Sequence, residues 1–116
     1  MQRVFSTPFA VMGTLAADWA IEFVCPFDMQ LVHVSVSTSN TNNGTIKIGS
    51  SSDDDAYLTV QDLPDNDQDE YDRTDFVGDQ FPHISDGTVV VVTVDYDGAS
   101  GTAAADLTVV LTFTEG

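Results

Sequence analysis

Cysteine is almost missing from this 116-residue sequence, and its scarcity excludes two kinds of stabilisation. The single cysteine, Cys25, has no partner for an intrachain disulfide, and two histidines are too few for a typical zinc site. A chain of this length buries enough surface to fold without such a staple, so we expect one domain over residues 1–116. Cys25 lies in the apolar run 21–27, which predicts a buried thiol rather than a nucleophile.

Basic residues are equally scarce, because three Lys and Arg stand against 19 Asp and Glu and give a formal net charge of −16. Such a surface repels phosphates and anionic headgroups, so we expect neither nucleic acid nor a membrane as a partner. The sequence contains no run of 18 apolar residues, so we expect no membrane-spanning helix. The excess of Asp with a single Lys resembles the composition of haloarchaeal proteins, which function in concentrated salt. The alternative is an ordinary acidic domain that binds Ca²⁺ or a basic partner.

Helical spacing of apolar residues is nearly absent, and apolar and polar residues alternate instead. In residues 107–114, for example, Leu107, Val109, Leu111 and Phe113 share one face. Comparable stretches predict strands at residues 4–11, 20–27, 31–37, 45–48, 57–61 and 88–96. About seven or eight short strands predict an all-β fold, a single antiparallel β-sandwich or jelly roll with one long acidic loop.

Two connections carry turn signals. Asn42, Asn43 and Gly44 lie between two predicted strands and favour a type I′ hairpin turn. The glycine-containing segment 97–101 turns the strand at 88–96 back toward the strand at 107–114. We expect those two strands to pair directly or to face each other across the sandwich.

The motifs of common enzymes are missing. The sequence has no nucleophile-elbow motif and no glycine-rich phosphate loop. His33 sits on the polar face of a predicted strand and His83 follows a proline, positions that favour surface or interface histidines over catalytic bases. We therefore expect no catalytic residues, no cofactor site and no enzyme activity.

The most acidic segment, residues 61–80, is the predicted long loop, a length usually tied to function or interaction. Asp65, Asp67, Asp69 and Asp72 are spaced like oxygen ligands for Ca²⁺ or Na⁺, although glycine and glutamate are missing where an EF-hand requires them. The alternative is a solvated acidic loop without a metal. The run 53–55 offers a second, weaker acidic cluster.

Apolar residues on the wrong face of a strand suggest an interface. Val89 and Val91 point opposite to Val90 and Val92, so they need cover from the acidic loop, from an N-terminal arm at residues 1–12 or from a partner. Phe5 and Phe9 in that arm are candidate anchors, since aromatic residues concentrate at interface cores. The single tryptophan, Trp19, either caps the core or forms a stacking platform for a ligand.

Three features together resemble the small β-sandwich structural proteins of tailed viruses. An apolar stretch ending in Pro-Phe (20–27) leads into an alternating strand (31–37), a long polar middle follows, and the chain closes on the pair TVVVVTVDYDG and ADLTVVLTFTEG. The resemblance to capsid decoration, or cement, proteins implies a non-enzymatic protein on the outer surface of a virion, made in the host cytoplasm. It implies the major capsid protein as a partner, and self-association, for instance as a trimer.

With the acidic composition, the resemblance points to a decoration protein of a haloarchaeal virus. Two alternatives remain at this stage. One is a carbohydrate-binding β-sandwich that uses Trp19, Tyr57 or Tyr71 for stacking and Ca²⁺ in the acidic loop. The other is a tail or turret subunit of a virion.

Overall fold

Strands make up most of the chain in the computed structural model, which describes residues 3–116. The period-2 stretches form strands because each can place one row of side chains in the core and the other toward solvent. A single 3-10 turn spans Val77–Asp79, and the described residues contain no α-helix. The strands are β1 (Val4–Thr14), β2 (Trp19–Val24), β3 (Met29–Ser37), β4 (Thr45–Ser50), β5 (Asp53–Asp62), β6 (Gln68–Tyr71), β7 (His83–Ile84), β8 (Val89–Asp95) and β9 (Ala105–Glu115).

The strands form two antiparallel sheets that pack face to face. In the first sheet the order is β1-β9-β3-β6, with β7 also paired to β3, and in the second it is β2-β8-β4-β5. The predicted antiparallel β-sandwich is therefore confirmed. One cluster of buried side chains fills the space between the sheets, and its fully buried members include Leu31, Ile46, Leu58, Val92 and Phe113.

Strand pairing is nested along the chain. The outermost pair is β1 with β9, followed inward by β2 with β8, β3 with β6, and β4 with β5. Strands that follow each other in sequence mostly lie in opposite sheets, so most connections cross from one layer to the other. The predicted turn between β8 and β9 is such a crossing, which confirms the second of the two alternatives for that pair.

The hairpin predicted at Asn42, Asn43 and Gly44 is wrong. It would join β3 to β4, but these strands belong to different sheets, and none of the three residues has the positive φ that a type I′ turn requires. Instead, the nearly buried Asn42 side chain stabilises the connection from β3 in the first sheet to β4 in the second. Its Nδ2 donates to the carbonyl oxygens of Asn40 and Pro64, each at 3.0 Å, and its Oδ1 accepts from Gly44 N–H at 2.9 Å.

The predicted N-terminal arm and acidic loop also differ from the structure. Of residues 1–12, the first two lie outside the described residues, while Val4–Thr14 forms an edge strand paired with β9 rather than a free arm. The segment 61–80 is not one loop, because β5 extends to Asp62 and β6 occupies Gln68–Tyr71. The buried side chains of Leu63, Tyr71 and Phe76 attach this segment to the core.

None of the helical turns among residues 3–116 has the length and apolar character needed to cross a bilayer.

Candidate interaction surface

The four aspartates predicted to share a cation do not converge. Asp65 accepts a hydrogen bond from Asn42 N–H at 3.0 Å, Asp67 and Asp69 each accept from the N–H of the next residue, and Asp72 accepts from Thr74. The Thr74 hydroxyl and N–H lower the pKa of Asp72. Each carboxylate thus accepts a hydrogen bond from a different backbone N–H. The four carboxylates therefore do not form a common set of ligands, and binding of Ca²⁺ or Na⁺ to this segment stays a prediction.

Asp53, Asp54 and Asp55 form the one group of three carboxylates in residues 3–116 whose oxygens lie within 4.8 Å of one another. A hydrogen bond with Asp53 raises the pKa of Asp55, and burial and the neighbouring negative charges act in the same direction. Asp54 contacts Lys47 Nζ at 2.9 Å. Exposed carboxylates commonly cluster without an ion. These three lie close together because they are consecutive residues at the start of β5.

Phe5 and Phe9 point into the sandwich rather than away from it. Phe5 stacks on the buried Phe113 ring, with centroids 5.4 Å apart, and Phe9 lies 6.1 Å from Phe23. Both rings are half-buried and pack against the core along its β1–β2 side. Their assignment to a partner interface stays a prediction, and their first role is to close the core.

Val91 is only 7% exposed, so it offers little surface to the partner contact predicted for it. In register it lies beside Gly49, and a Cβ on Gly49 would come within 2.2 Å of the Asp53 carbonyl oxygen. The start of β5 therefore folds over the outer face at Gly49, next to Val91. Val89 remains half-buried, opposite Val24, which is 60% exposed.

The aromatic residues do not form a stacking platform. Trp19 and Tyr57 are half-buried against the core, and Tyr71 is buried, with its hydroxyl donating to the Asp62 carbonyl oxygen at 3.3 Å. Burial, aided by neighbouring carboxylates, raises the pKa of Tyr71 to about 12. A groove of about 460 Å³ on the second sheet is lined by Thr, Val, Asp and Lys side chains without an aromatic ring.

Cys25 is a buried thiol, as predicted. Its Sγ donates to the Phe27 carbonyl oxygen at 2.8 Å. Burial raises the pKa of the thiol, although the hydrogen bond to Phe27 opposes this shift. The thiolate needed for nucleophilic chemistry is thereby disfavoured. His33 lies on the outer side of β3, with Nε2 3.2 Å from a Glu70 carboxylate oxygen, and His83 is exposed.

The outer side of the first sheet carries the feature that sequence reasoning missed. Across β1, β9 and β3, outward side chains align in four rows of three. We call these residues the neutral face. The rows are Val4–Thr114–Gln30, Ser6–Thr112–His33, Pro8–Val110–Ser35 and Ala10–Thr108–Ser37.

No member of the neutral face is Asp, Glu, Lys or Arg, although the chain carries 19 acids. Charged groups occur only at its margins, where each has a partner. Arg3 pairs with Glu115 at one end. Asp106 accepts from Gly13 N–H and from the Ser39 hydroxyl at the other, each at 2.7 Å, and these bonds lower the pKa of Asp106.

The outer side of the second sheet, which we call the acidic face, has the opposite character. Its rows include Glu22–Val91–Gly49 and Ala20–Thr93–Lys47, and a further row sets Thr45 between Asp95 and Asp62. The acids of 53–55 add to it. The signal for the contrast was present in the sequence, because the outward positions of β9 from Thr108 to Thr114 carry Thr and Val only. It becomes meaningful once β1 and β3 are known to be the neighbours of β9.

No protein-family model matches the chain, and no curated protein matches its sequence. Among solved structures, it is similar to a chain in the capsid asymmetric unit of cyanophage Pam1, with a TM-score of 0.61 and 14% identity over 99% of this chain and 85% of that one. At this identity the likeness establishes a shared fold.

A second similar structure is a chain of the acid-stable capsid of Helicobacter pylori bacteriophage KHP30. The TM-score is 0.48 and the identity 12%, over 98% of this chain and 91% of that chain. This likeness is too distant to support an argument.

Proposed function

We propose that the chain is a non-enzymatic virion structural protein that decorates and stabilises the outer surface of a viral capsid. The observation that carries the proposal is the fold shared with a chain of the cyanophage Pam1 capsid. The likeness spans 99% of this chain and 85% of that one, so it supports a role for the whole sandwich rather than for one part of it. Fold alone does not define function, and the proposal therefore needs a direct test.

The strand order supports a jelly roll in particular. A jelly roll is two four-stranded sheets in which the first strand pairs with the last, the second with the next to last, and so on inward. The four nested pairs of this chain follow that scheme when the two-residue strand β7 is set aside. Jelly rolls are common in viral capsid domains, which agrees with the proposed location.

The proposed mechanism is mechanical. A rigid sandwich that contacts neighbouring copies of the major capsid protein stabilises the shell by burying apolar area, at about 25 cal/mol per Å² before the costs of association. The contact we propose for this partner is the corner of the acidic face where exposed Val24 lies opposite half-buried Val89. This retains Val89 from the sequence prediction and replaces the covered Val91 by Val24.

Co-sedimentation of the purified chain with intact capsids of the virus that encodes it tests the proposal. We expect saturable binding that weakens at least several-fold when Val24 and Val89 are both changed to Thr, which preserves strand propensity. Val60→Thr is the matched control, because Val60 is 55% exposed elsewhere on the acidic face. Absence of binding by the folded parent chain contradicts the proposed function, whereas equal loss in the control contradicts only the proposed contact.

A concentrated-salt environment is the second part of the proposal, and the net charge of −16 supports it. Salt near 1 M reduces the screening length to about 3 Å and removes most repulsion among exposed carboxylates. We expect the melting temperature to rise steadily from low to molar NaCl, with KCl acting equally well. A flat or falling melting temperature contradicts a halophilic origin, and a rise that requires millimolar Ca²⁺ supports the cation site in residues 61–80 instead.

The structure gives less support to a carbohydrate-binding module than to a tail or turret subunit. Carbohydrate binding loses its stacking platform, since Trp19 and Tyr57 are half-buried and Tyr71 is buried. A tail or turret subunit agrees with the fold as well as a capsid protein does. Antibody labelling of intact particles separates the two, because label over the whole shell supports decoration and label confined to tails or vertices contradicts it.

A further inference from the structure

The neutral face is an anomaly on this molecule. Acids occupy the acidic face, the start of β5 and the segment between β5 and β7, yet all four rows across β1, β9 and β3 lack them. Its residues are half-buried or exposed, so core packing does not explain the absence. Acids on this face would increase solubility, as they do on the rest of the surface. Their absence therefore points to a surface that contacts another molecule.

Charge narrows the identity of the partner. Two molecules that each carry a net charge of −16 repel each other at any approach that brings carboxylates together. The neutral face is the broad surface through which two copies can meet without placing acids opposite acids. On β6, Glu70 lies beside Ser35 of this face, and its carboxylate already contacts His33.

Hydroxyl groups make the face complementary to itself. A carboxylate only accepts hydrogen bonds, whereas the hydroxyl of Ser or Thr both donates and accepts, so a hydroxyl-rich surface can pair with an identical one. Five of the twelve residues in the rows are Thr or Ser on β9 and β3, and Ser6 on β1 adds a sixth. Ser6 and Thr112 already show such pairing within one copy, with their oxygens 2.9 Å apart.

The free edge of β1 is a less suitable docking site than the face beside it. Pro8 lies in the middle of this strand and has no N–H, so a partner strand added along the edge would lose a hydrogen bond at its centre and meet the proline ring. Contact through outward side chains avoids that obstacle. Exposed Val4 lies in the first row and contributes apolar area at the rim.

We propose that two copies of this chain associate face to face through their neutral faces. The inference goes beyond capsid decoration and does not depend on it. Strand spacing and rise give the rows an area of roughly 400 Å² per copy, about half of what a standard stable interface uses. Association of free copies is therefore weak, and it strengthens when copies are held close together on one particle.

Sedimentation velocity of the full chain in molar NaCl, over protein concentrations from about 10 μM to 1 mM, tests the proposal at the weak affinities expected for a small interface. We expect a reversible increase in mass that persists at high salt, since the contact is not ionic. Val110 lies at the centre of the rows, and Val110→Glu sets two like charges against each other across the interface. It should weaken association at least tenfold, whereas Val110→Thr should leave it unchanged.

The matched control is Thr93→Glu, which adds the same charge at the centre of the acidic face, between Ala20 and Lys47. We expect it to associate like the parent chain. Equal weakening by Val110→Glu and Thr93→Glu overturns the proposal, and so does a parent chain that stays monomeric at 1 mM. If Val110→Glu lowers capsid binding while the parent never self-associates, the face binds a capsid subunit, and a second copy is excluded as its partner.

Discussion

The two outer faces of the sandwich are built from similar alternating strands and yet differ in charge. The four outward rows across β1, β9 and β3 consist of Thr, Ser, Val, Ala, Pro, Gln and His, whereas the outward residues of the second sheet include Glu22, Asp62 and Asp95. Composition alone would spread 19 acids over both. Strong acidity is therefore confined to parts of this surface, and the face that lacks it is the better suited of the two to contact another acidic molecule.

The largest loss of stability is expected from a change in the core, because the core holds both sheets and hence both outer faces in place. Phe113 is fully buried, stacks on Phe5 and meets Phe23 edge-on at 6.1 Å. Phe113→Ala should lower the free energy of unfolding by about 3–5 kcal/mol, through lost burial and the cavity left behind. Urea unfolding in molar salt measures it. Phe81→Ala, at a ring 38% exposed, is the control, and a comparable loss there would contradict this account of the core.

A smaller effect is expected where the acidic face is covered by its own chain. Gly49→Ala places a Cβ within 2.2 Å of the Asp53 carbonyl oxygen, so the start of β5 must move and Val91 loses its cover. We expect a loss of about 1–3 kcal/mol in the free energy of unfolding. Gly101→Ala is the control, because the atoms nearest its new Cβ belong to the Asn43 side chain, with Oδ1 at 2.3 Å, and a side chain can move aside more easily than backbone. A neutral Gly49→Ala would show that 53–55 does not rest on the sheet.

The smallest effects come from one carboxyl at each face, and they have opposite signs. Hydrogen bonds from Gly13 N–H and Ser39 lower the pKa of Asp106, so its carboxylate stabilises the fold at neutral pH, and this is lost as pH falls through the lowered pKa. The hydrogen bond with Asp53 raises the pKa of Asp55, so acidification through the raised pKa stabilises the fold.

Asp106→Asn should therefore lower stability near pH 7 and have little effect near pH 3, below the usual range of aspartate. Asp55→Asn should raise stability near pH 7, where it removes repulsion from Asp53 and Asp54. Denaturant titrations at several pH values and low salt measure both. Two substitutions with the same sign at neutral pH would contradict this reading of the two carboxyls.

Alternation in the sequence was sufficient to predict the strands that have one buried face. Segments 88–96 and 107–114 became β8 and β9 nearly as expected, since period 2 reflects only which side chains enter the core. β6 was missed because its sequence, QDEY, has Tyr71 as its one apolar residue. A bulge near Val32 was missed as well: Leu31 and Val34 are both buried although they are three residues apart.

Features that depend on distant neighbours were beyond local reasoning. The turn signal at Asn43-Gly44 is local, whereas the assignment of β3 and β4 to opposite sheets depends on pairing with β9 and β8. Val91 is buried, and its register neighbour in β4 is Gly49, against which the backbone of 53–55 packs. The neutral face could not be found in this way, since a face made of three strands far apart in sequence has no local signature.

Nested pairing also imposes an order in time on the making of this protein. Val4 pairs with Thr114, so β1 has no strand beside it until β9 has been synthesised. At about 5–20 residues per second, a ribosome takes roughly 5–20 seconds to make the intervening chain. During that interval the innermost pair, β4 with β5, is the first that can form. The Phe5 and Phe9 side chains of β1 stay without their core contacts until β9 is present. A nascent chain of this design is thus most vulnerable to proteases and aggregation just before its final strand emerges.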